Sequence, residues 1–406
     1  MAGFMIAAPR SGSGKTMVTC GILELLKRKQ KNPFSYKCGP DYIDGLFHRK
    51  VLGIEGGNLD SFFEQPQDIR EKYAAVSETH FPVVEGVMGY FDGLGGDTTA
   101  ASSWEVADIL NLPVVLVVDA KGASLSLAAL IKGFQVFQGE SQSSQANKNG
   151  NHIQAVILNR ISPMLYPRMK AVIEKKTGVL VAGYVPELDF WQVGSRHLGL
   201  VLPGEIENLQ EQMRQLGDCL EKTLDVDVLL KLGEKADIDV LGSVTVTADG
   251  SSQKCEAQKN ADLVLQNQFA GEKISHSAIP IRLGVAWDEA FCFYYRDNLE
   301  FLEKQGVQIV QFSPVHDKHL PDDLDGLLLG GGYPELYAKA LEENETIRNE
   351  IRRKAEEDMP ILAECGGYLY LLKELEDENG TGYEMAGVFS GKGYKKGKNS
   401  HFGYIT

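Results

Sequence analysis

The chain contains 406 residues, a length that favours two or three domains and is ample for more than one buried core. Lys and Arg total 41 against 56 Asp and Glu, so the formal net charge is −15, and the hydrophobic share of 43% is ordinary for a soluble globular protein. An acidic chain with no dense Lys/Arg tract is poorly suited to wrapping nucleic acid or lying on an anionic membrane, because both need clustered positive charge.

The six cysteines are scattered, with no CxxC pair and no repeated spacing, in a chain too large to need disulfides. We therefore expect reduced thiols. No run approaches 18 apolar residues, and the chain begins with a short apolar strand and a Gly-rich loop instead of a secretion signal. These features predict a cytoplasmic protein that is neither secreted nor membrane-spanning.

In the first half of the chain, short apolar runs rich in β-branched residues alternate with helix-length segments, a pattern typical of βαβ units on a parallel sheet. The predicted strands are residues 3–8, 82–85, 113–119, 153–159 and 180–185. Residues 138–151 are polar and aperiodic, which predicts a solvent-exposed loop. No repeat of fixed period is present, so solenoids and propellers are excluded.

The pattern degrades into Asp, Ser, Lys and Gln over residues 233–280, which predicts a linker. A second α/β pattern follows it. This pattern predicts strands at 282–286, 307–312, 326–329 and 360–363, helices at 294–305 and 336–358, and a helical segment at 368–375. We accordingly divide the chain into a first domain at 1–235, a linker at 236–280 and a second domain at 281–406.

The first informative segment is APRSGSGKT (residues 8–16), which follows an apolar strand and precedes a predicted helix over residues 18–27. A strand, a loop of small residues and a helix N-terminus aim backbone N–H groups at one point, where the helix dipole favours anions. The spacing departs from the usual consensus, because Pro9 stands where the first glycine is expected. The SGSGKT core in this context still predicts a phosphate site.

Four residues carry that prediction. Gly12 and Gly14 let the loop approach a phosphate closely. Lys15 supplies a charge for the β- and γ-phosphates, and the hydroxyl of Thr16 supplies a ligand for Mg²⁺.

Phosphoryl transfer also needs a metal ion held by carboxylates, and two segments offer carboxylates at predicted strand ends. Glu85 ends the run FPVVE, whereas Asp41 and Asp44 lie in KCGPDYID, a Gly-Pro turn after a short apolar run. Taken alone, each is more typical of a solvated turn carboxylate. In company with a phosphate loop, they become candidate metal ligands.

The second informative segment is PILAECGGY (residues 360–368), in which an apolar strand runs directly into Cys365 and a glycine pair. A strand, sharp turn and helix in this order expose the side chain as a nucleophile elbow, and the helix N-terminus favours the thiolate. A thiolate that attacks an amide also needs N–H donors for the oxyanion. The run LLLGGGYPE supplies Gly330, Gly331 and Gly332 at a strand end for that task.

The segments APRSGSGKT, KCGPDYID and EGVMGYFDG (residues 85–93) together resemble the ATP-dependent amidase domain of cobyrinic acid a,c-diamide synthases, a relative of dethiobiotin synthetase. The resemblance implies that Thr16, Asp41 and Glu85 gather around Mg²⁺ and the γ-phosphate. It implies that four further residues face the reacting carboxylate of a corrin-type substrate, namely Lys37, Tyr42, Asp44 and Asp92. The run IQAVILNR resembles the family strand whose terminal Asn, here Asn159, reads the adenine base.

The C-terminal segments resemble the class I glutamine amidotransferase domain of the same family, on PILAECGGY, LLLGGGYPE, AWDEAFCFYYRDNLEFL and FSPVHDKHLP. The resemblance implies that Cys365 is the glutaminase nucleophile and that Gly331 and Gly332 are oxyanion donors.

One departure from the family concerns the base of the glutaminase. The family pairs its cysteine with a histidine in a later segment of the type His-x-Phe-His-Tyr, and the sequence stops at HFGYIT without it. His401 precedes the FGY run where the base is not expected, and His316 and His319 lie in an exposed-looking turn. We therefore expect a truncated chain whose natural form carries the histidine beyond residue 406, or else another group as base.

The fold implied is α/β: a P-loop parallel-sheet domain of the dethiobiotin synthetase type, followed by an α/β domain of the class I glutamine amidotransferase type. The implied function is ATP- and glutamine-dependent amidation of the a and c carboxylates of cobyrinic acid in cobalamin biosynthesis, through acyl phosphates, with ATP and Mg²⁺ as cofactors. The expected partners are a cobyrinic acid-type tetrapyrrole and glutamine, without nucleic acid or a membrane, and a homodimer stays open.

Alternatives remain at this stage. The same chemistry could act on hydrogenobyrinic acid or a nickel sirohydrochlorin. A regulatory or partitioning P-loop ATPase would use Lys15 and Thr16 but has no need of Cys365, and glutamine-dependent ADP release separates it from a ligase. A non-catalytic glutamine or nucleotide sensor is favoured only if the glutaminase histidine is truly absent.

Overall fold

The computed structural model of the chain describes residues 2–42, 47–137, 139, 152–191, 195–196, 199–200, 208–234 and 280–395. The described residues form two compact units, one N-terminal and one C-terminal to the predicted linker. Nearly all of that linker and of the predicted loop at 138–151 lies outside the described residues.

The central strands of the first unit, at residues 81–85, 114–119 and 153–159, contain runs rich in Val and Ile, which prefer extended backbone and are buried on both faces of a parallel sheet. The unit has nine strands among the described residues. They are β1 (Phe4–Ala7), β2 (Pro33–Cys38), β3 (Gly56–Leu59), β4 (Phe81–Glu85), β5 (Val114–Asp119), β6 (Ile153–Asn159), β7 (Leu180–Val185), β8 (Ser195–Arg196) and β9 (Gly199–Leu200). The helices are α1 (Lys15–Arg28), α2 (Pro66–Ser77), α3 (Ser103–Leu110), α4 (Ser126–Val136), α5 (Tyr166–Thr177), α6 (Leu209–Thr223) and α7 (Val226–Glu234). A π-helical turn spans His48–Leu52, and a 3₁₀ turn spans Leu94–Gly96.

Seven of these strands form one sheet in the order β3-β2-β4-β1-β5-β6-β7, and every neighbouring pair is parallel. In a parallel sheet all strands end at the same edge, where ligands bind beside a change in strand order. The register places Lys37 of β2 opposite Glu85 of β4. It likewise places Asp119 of β5 opposite Asn159 of β6. The predicted parallel α/β fold is confirmed.

The second unit repeats the same kind of architecture on a smaller scale. Its strands are β10 (Arg282–Ala286), β11 (Gln308–Phe312), β12 (Gly326–Leu329), β13 (Ile361–Ala363), β14 (Leu372–Glu376), β15 (Gly382–Glu384) and β16 (Phe389–Gly393). Its helices are α8 (Arg296–Lys304), α9 (Ala338–Glu343), α10 (Glu345–Glu356) and α11 (Gly366–Leu371), with a 3₁₀ turn at Pro334–Leu336. A parallel sheet has the order β11-β10-β12-β13, and a small mixed sheet has the order β15-β14-β16.

Two helix predictions in the second unit are wrong. The helix predicted at 336–358 is broken at Asn344, whose side-chain amide donates to Pro314 O at 2.8 Å and Asp317 O at 2.7 Å. These hydrogen bonds hold Asn344 outside the helical conformation. The helix predicted at 368–375 ends at Leu371, because the next residues form β14 and pair with β15 and β16.

The sequence also led to expectations about membrane-spanning helices and about disulfides, and the described residues bear on both. Every helix there is too short or too polar to cross a bilayer. None of the cysteines found there forms a disulfide, namely Cys20, Cys38, Cys219, Cys292 and Cys365, whereas Cys255 lies outside the described residues.

Candidate active site

The phosphate loop joins the end of β1 to the start of α1. Gly14 caps the helix with φ of 93°, a left-handed conformation that glycine adopts readily and other residues avoid. A Cβ at this position would also lie 2.3 Å from Asn159 Nδ2, so the close approach of β6 requires glycine. The helix N-terminus that follows is a general anion-binding feature.

The loop that follows β4 packs directly on the phosphate loop. Lys15 Nζ donates to the carbonyl of Met88, and the N–H of Tyr90 donates to Ala8 O at 2.8 Å. Asp92 folds back into the same loop, where its Oδ2 accepts the N–H of Gly89 at 2.9 Å. The predicted substrate residue Asp92 therefore lies in the loop that contacts Lys15.

A cluster of charged side chains lies at the carboxyl ends of β2 and β4. Glu85 is fully buried, and its Oε1 accepts from Thr16 Oγ1 at 2.6 Å and from Lys37 Nζ at 3.0 Å. The same ammonium lies 3.8 Å from Asp41 Oδ2. The structure thus brings together Thr16, Lys37, Asp41 and Glu85, which come from three separate segments of the chain.

This donor set fits a magnesium ion. Mg²⁺ is usually held by one or two carboxylates together with substrate phosphates and water, and not by a dense protein cage. The cluster offers a hydroxyl and two carboxylates beside the phosphate loop, and the described residues contain no group of three or more His, Cys, Asp or Glu arranged to hold a metal. Thr16, Asp41 and Glu85 offer only oxygen donors, which suit Mg²⁺ better than a transition metal that prefers nitrogen or sulfur ligands.

Asn159 contacts the phosphate loop at the end of β6. Its Nδ2 donates to Ser13 O at 2.8 Å, whereas its buried Oδ1 has no hydrogen-bond partner among the described residues. The free oxygen is an acceptor, which suits a ligand that donates, such as the amino group of adenine. The assignment of Asn159 to the base stays a prediction.

Next to Asn159, an ion-pair cluster ties the ends of β5 and β6 to the loop. Arg160 Nε donates to Asp119 Oδ1 at 3.0 Å and Arg160 Nη2 to Asp119 Oδ2, and Arg10 of the phosphate loop lies 3.6 Å from the same carboxylate. Partial burial acts to raise the pKa of Asp119, but hydrogen bonds from Arg160 and the Lys121 N–H, with the charges of Arg160 and Arg10, outweigh it. The pKa of Asp119 consequently lies below its ordinary value.

Tyr42 and Asp44 are the other two predicted substrate residues. Tyr42 directly follows Asp41 and is half-buried. Asp44 lies outside the described residues.

Sequence reasoning missed two residues that support the cluster. Asn58 of β3 donates from its amide to Gly39 O and Asp41 O, both at 2.9 Å, and so fixes the turn that carries Asp41. His48 is fully buried and its Nε2 lies 3.8 Å from Glu85 Oε2. Neither belongs to a recognisable motif, and only the strand order β3-β2-β4 brings them to the site.

In the second unit, Cys365 occupies a strained turn between β13 and α11. Its φ of 47° and ψ of −109° are rare for a residue other than glycine, and its side chain is exposed. Strain of this kind costs about 1–3 kcal/mol and is concentrated at functional sites. The arrangement is that of a nucleophile elbow.

The end of β12 leads into a glycine segment, residues 330–332, which lies beside Cys365. A Cβ on Gly331 would lie 3.4 Å from Cys365 Cβ. Gly366, which sequence reasoning did not assign, begins α11 directly after Cys365, and the first N–H groups of a helix have no acceptor within the helix. Its N–H is therefore a further candidate oxyanion donor.

The histidines of the second unit that the structure describes pair with glutamates. His316 Nε2 lies 2.7 Å from Glu289 Oε1, and His319 Nδ1 lies 2.8 Å from Glu350 Oε1. Both rings are largely exposed. His401 lies outside the described residues.

Residues 4–200 match the CobQ/CobB/MinD/ParA nucleotide binding domain, and residues 282–399 match the CobB/CobQ-like glutamine amidotransferase domain. The first match includes the phosphate loop, and the second includes the elbow cysteine. Among solved structures, the MinD cell division protein of Aquifex aeolicus aligns with 58% of this chain and 95% of its own, at 12% identity and a TM-score of 0.34. At that score the fold assignment rests on the sheet order and the two domain matches instead.

Curated relatives match over nearly the whole chain. The cobyrinate a,c-diamide synthase of Caldanaerobacter subterraneus subsp. tengcongensis is 36% identical over 99% of this chain and 80% of its own length. The enzyme of the same name from Streptococcus sanguinis is 39% identical over 99% of this chain and 80% of its own. That of Salmonella typhimurium is 36% identical over the same shares. The chain belongs to the cobyrinate a,c-diamide synthase family, whose members are glutamine-dependent, amide-forming ligases.

Proposed function

We propose that this protein uses ATP and glutamine to convert the a and c carboxylates of cobyrinic acid into amides. The observation that carries the proposal is the presence, in one chain of this family, of a phosphate loop beside the buried carboxylate of Glu85 and of an elbow cysteine beside a glycine segment. Each of these sites performs half of a glutamine-dependent amidation. Together they account for both halves.

The first unit activates the carboxylate. A carboxylate does not react with ammonia, because oxide is a poor leaving group. A substrate carboxylate oxygen attacks the γ-phosphorus of ATP, ADP leaves, and the product is an acyl phosphate. Lys15 and the N-terminus of α1 stabilise the charge that develops on the phosphoryl oxygens.

Thr16, Asp41 and Glu85 are the residues that would hold Mg²⁺ beside the phosphates. The ion, when bound, neutralises charge on the transferring phosphoryl group. Lys37 keeps the two carboxylates together in the buried cluster and offers its ammonium to the substrate carboxylate. Tyr42, Asp44 and Asp92 complete the side that faces the tetrapyrrole.

The second unit supplies ammonia. The thiolate of Cys365 attacks the side-chain amide carbon of glutamine, and Gly331, Gly332 and Gly366 donate N–H groups to the oxyanion. The proton that left the thiol protonates the leaving nitrogen, the C–N bond breaks and ammonia departs, after which water hydrolyses the thioester to glutamate and restores the thiol. Ammonia attacks the acyl phosphate carbon, phosphate leaves, and the amide remains.

Free ammonia is mostly protonated at neutral pH, so release by an attached glutaminase delivers the reactive form. The total reaction consumes one ATP and one glutamine for each carboxylate. Hydrogenobyrinic acid and a nickel sirohydrochlorin are the alternative acceptors of the same chemistry.

Substrate-dependent release of ADP tests the proposal. The protein is incubated with ATP, MgCl₂ and ammonium chloride, with each of the three tetrapyrroles in turn. ADP release that rises only with cobyrinic acid supports the proposal, and release that needs no tetrapyrrole supports a regulatory ATPase instead. Preference for another tetrapyrrole would keep the chemistry and change the substrate.

A further inference from the structure

His48 is a buried histidine at the phosphate site that the proposed mechanism does not use. It opens the π-helical turn His48–Leu52, and its ring is fully buried. Its Nδ1 lies 2.8 Å from Ser35 Oγ in β2, and its Nε2 lies 3.8 Å from Glu85 Oε2 in β4. The ring thus contacts both the neighbouring strand and the carboxylate at the centre of the cluster.

The two oxygens of Glu85 have different surroundings. Oε1 accepts hydrogen bonds from Thr16 and Lys37, whereas Oε2 is buried with no hydrogen-bond partner among the described residues. A buried carboxylate oxygen without a donor is costly. His48 Nε2 reaches an ordinary hydrogen-bond distance to Oε2 by a shift of roughly 0.8 Å.

Ser35 is compatible with the tautomer that suits this contact. Its hydroxyl can donate to Nδ1, which leaves the proton of the neutral ring on Nε2, facing Glu85. Partners of this kind, one layer behind a metal ligand, orient the ligand and tune its affinity.

We propose that His48 is a positioning residue that holds Glu85 by Oε2, so that Oε1 stays directed at Thr16 when the magnesium-nucleotide complex binds. The inference rests on the proposed function, since it takes Glu85 as a ligand of Mg²⁺. It adds a role for a residue that lies outside the phosphate loop and outside the two carboxylate segments, FPVVE and KCGPDYID.

Two substitutions separate this role from packing. His48→Gln places an amide N–H near the position of Nε2, whereas His48→Asn keeps a polar group near Ser35 and removes the one that faces Glu85. The matched control is His152→Asn. His152 directly precedes β6 and is also buried, and its Nε2 lies 3.1 Å from Oδ1 of Asp108 in α3. Calorimetry measures ADP binding with and without MgCl₂, and thermal unfolding of each variant is recorded.

We expect His48→Asn to weaken magnesium-dependent ADP binding about 10-fold or more. His48→Gln recovers most of that loss, and His152→Asn has no effect on binding. On top of Glu85→Gln, His48→Asn adds nothing, because its effect passes through the carboxylate.

An unchanged affinity in His48→Asn overturns the inference, as do equal losses in the Asn and Gln variants. An undiminished effect of His48→Asn in the Glu85→Gln background also overturns it, since the histidine would then act by another route. If the unmodified protein binds no ADP in MgCl₂, the proposed function fails first and the inference fails with it.

Discussion

Glu85 shows how much one side chain determines at the phosphate site. It ends a buried strand, accepts hydrogen bonds from Thr16 and Lys37, and faces His48 with its second oxygen. A buried carboxylate persists only when charges and donors compensate its desolvation. The hydrogen bonds from Thr16 and Lys37 therefore stabilise the charge of Glu85, and Glu85 in turn holds these two side chains at the site.

Lys15→Ala and Glu85→Gln test this site directly. Each should lower tetrapyrrole-dependent ADP formation about 100-fold, because a preorganised charge at the transferring phosphoryl group is lost. Basal glutaminase activity should remain, since neither residue lies in the unit that contains Cys365. Lys29→Ala, at the other end of α1, is the control and should retain full turnover. Unchanged ADP formation in both site variants would refute the phosphate and metal assignments.

Cys365→Ser separates the two halves of the reaction. Glutamine-supported amidation should fall by about 10⁴-fold or more, because the nucleophile is gone. Amidation supported by high ammonium chloride should be preserved, because the proposed synthetase site lies in the other unit. Cys219→Ser in α6 should leave both activities intact. Equal loss with both nitrogen donors would contradict separate sites.

At the scale of the elements, the glycine segment after β12 is held by contacts with little tolerance. Gly332 has φ of 156°, and a Cβ there would lie 1.9 Å from the carbonyl oxygen of Ala290. The N–H of Gly330 donates to Tyr294 Oη at 2.8 Å, and Gly331 O accepts from Cys292 and Phe293 at 3.0 and 3.1 Å. The segment is thereby fixed beside the elbow.

Gly332→Ala should destabilise the second unit by more than about 2 kcal/mol, because backbone must move to admit the methyl group. Gly380→Ala is the control, since Gly380 also has a positive φ, 81°, but open space around its Cβ position. It should cost only about 1 kcal/mol. Urea unfolding measures both, and equal costs would show that the predicted clash is relieved easily.

Asp119 makes the link between β5, β6 and the phosphate loop dependent on pH. Its pKa lies below the ordinary value, so its carboxylate stabilises the fold above about pH 4, the unfolded value, and this contribution disappears as pH falls through the lower folded value. Asp119→Asn should therefore be less stable than the unmodified protein at neutral pH, and the difference in free energy of unfolding should shrink in acid. Asp227→Asn, in the exposed pair with Lys29, should change little at any pH. A difference that grows in acid would contradict the assignment.

Sequence motifs predicted those parts of the fold whose interacting residues are neighbours in the sequence. The phosphate loop and the strand, turn and glycine pair at Cys365 are contiguous, so their spacing predicts their geometry. The break at Asn344 depends on carbonyls 27 and 30 residues away, and β14 is a strand because it pairs with the two strands that follow it. Helical periodicity gave no sign of either. The same reason explains why Asn58 and His48 were missed, since only the strand order brings them to Asp41 and Glu85.

At the scale of the whole molecule, the chain combines two α/β units, each with its own candidate site. One has a phosphate loop beside the buried carboxylate of Glu85, and the other has a strained cysteine beside a glycine segment. The chain belongs to the cobyrinate a,c-diamide synthase family, and the proposed function assigns both sites to one reaction. The proposed reaction needs both, because activation and nitrogen supply are separate chemical problems.

The most direct test of that account follows the tetrapyrrole itself. The protein is incubated with ATP, MgCl₂ and cobyrinic acid, with either isotope-labelled ammonium or glutamine labelled at the side-chain amide, and the products are identified by mass spectrometry. We expect a diamide that carries label at the a and c positions, with one ADP formed for each amide. Formation of ADP with cobyrinic acid unaltered, or a labelled product only from a different tetrapyrrole, would contradict it.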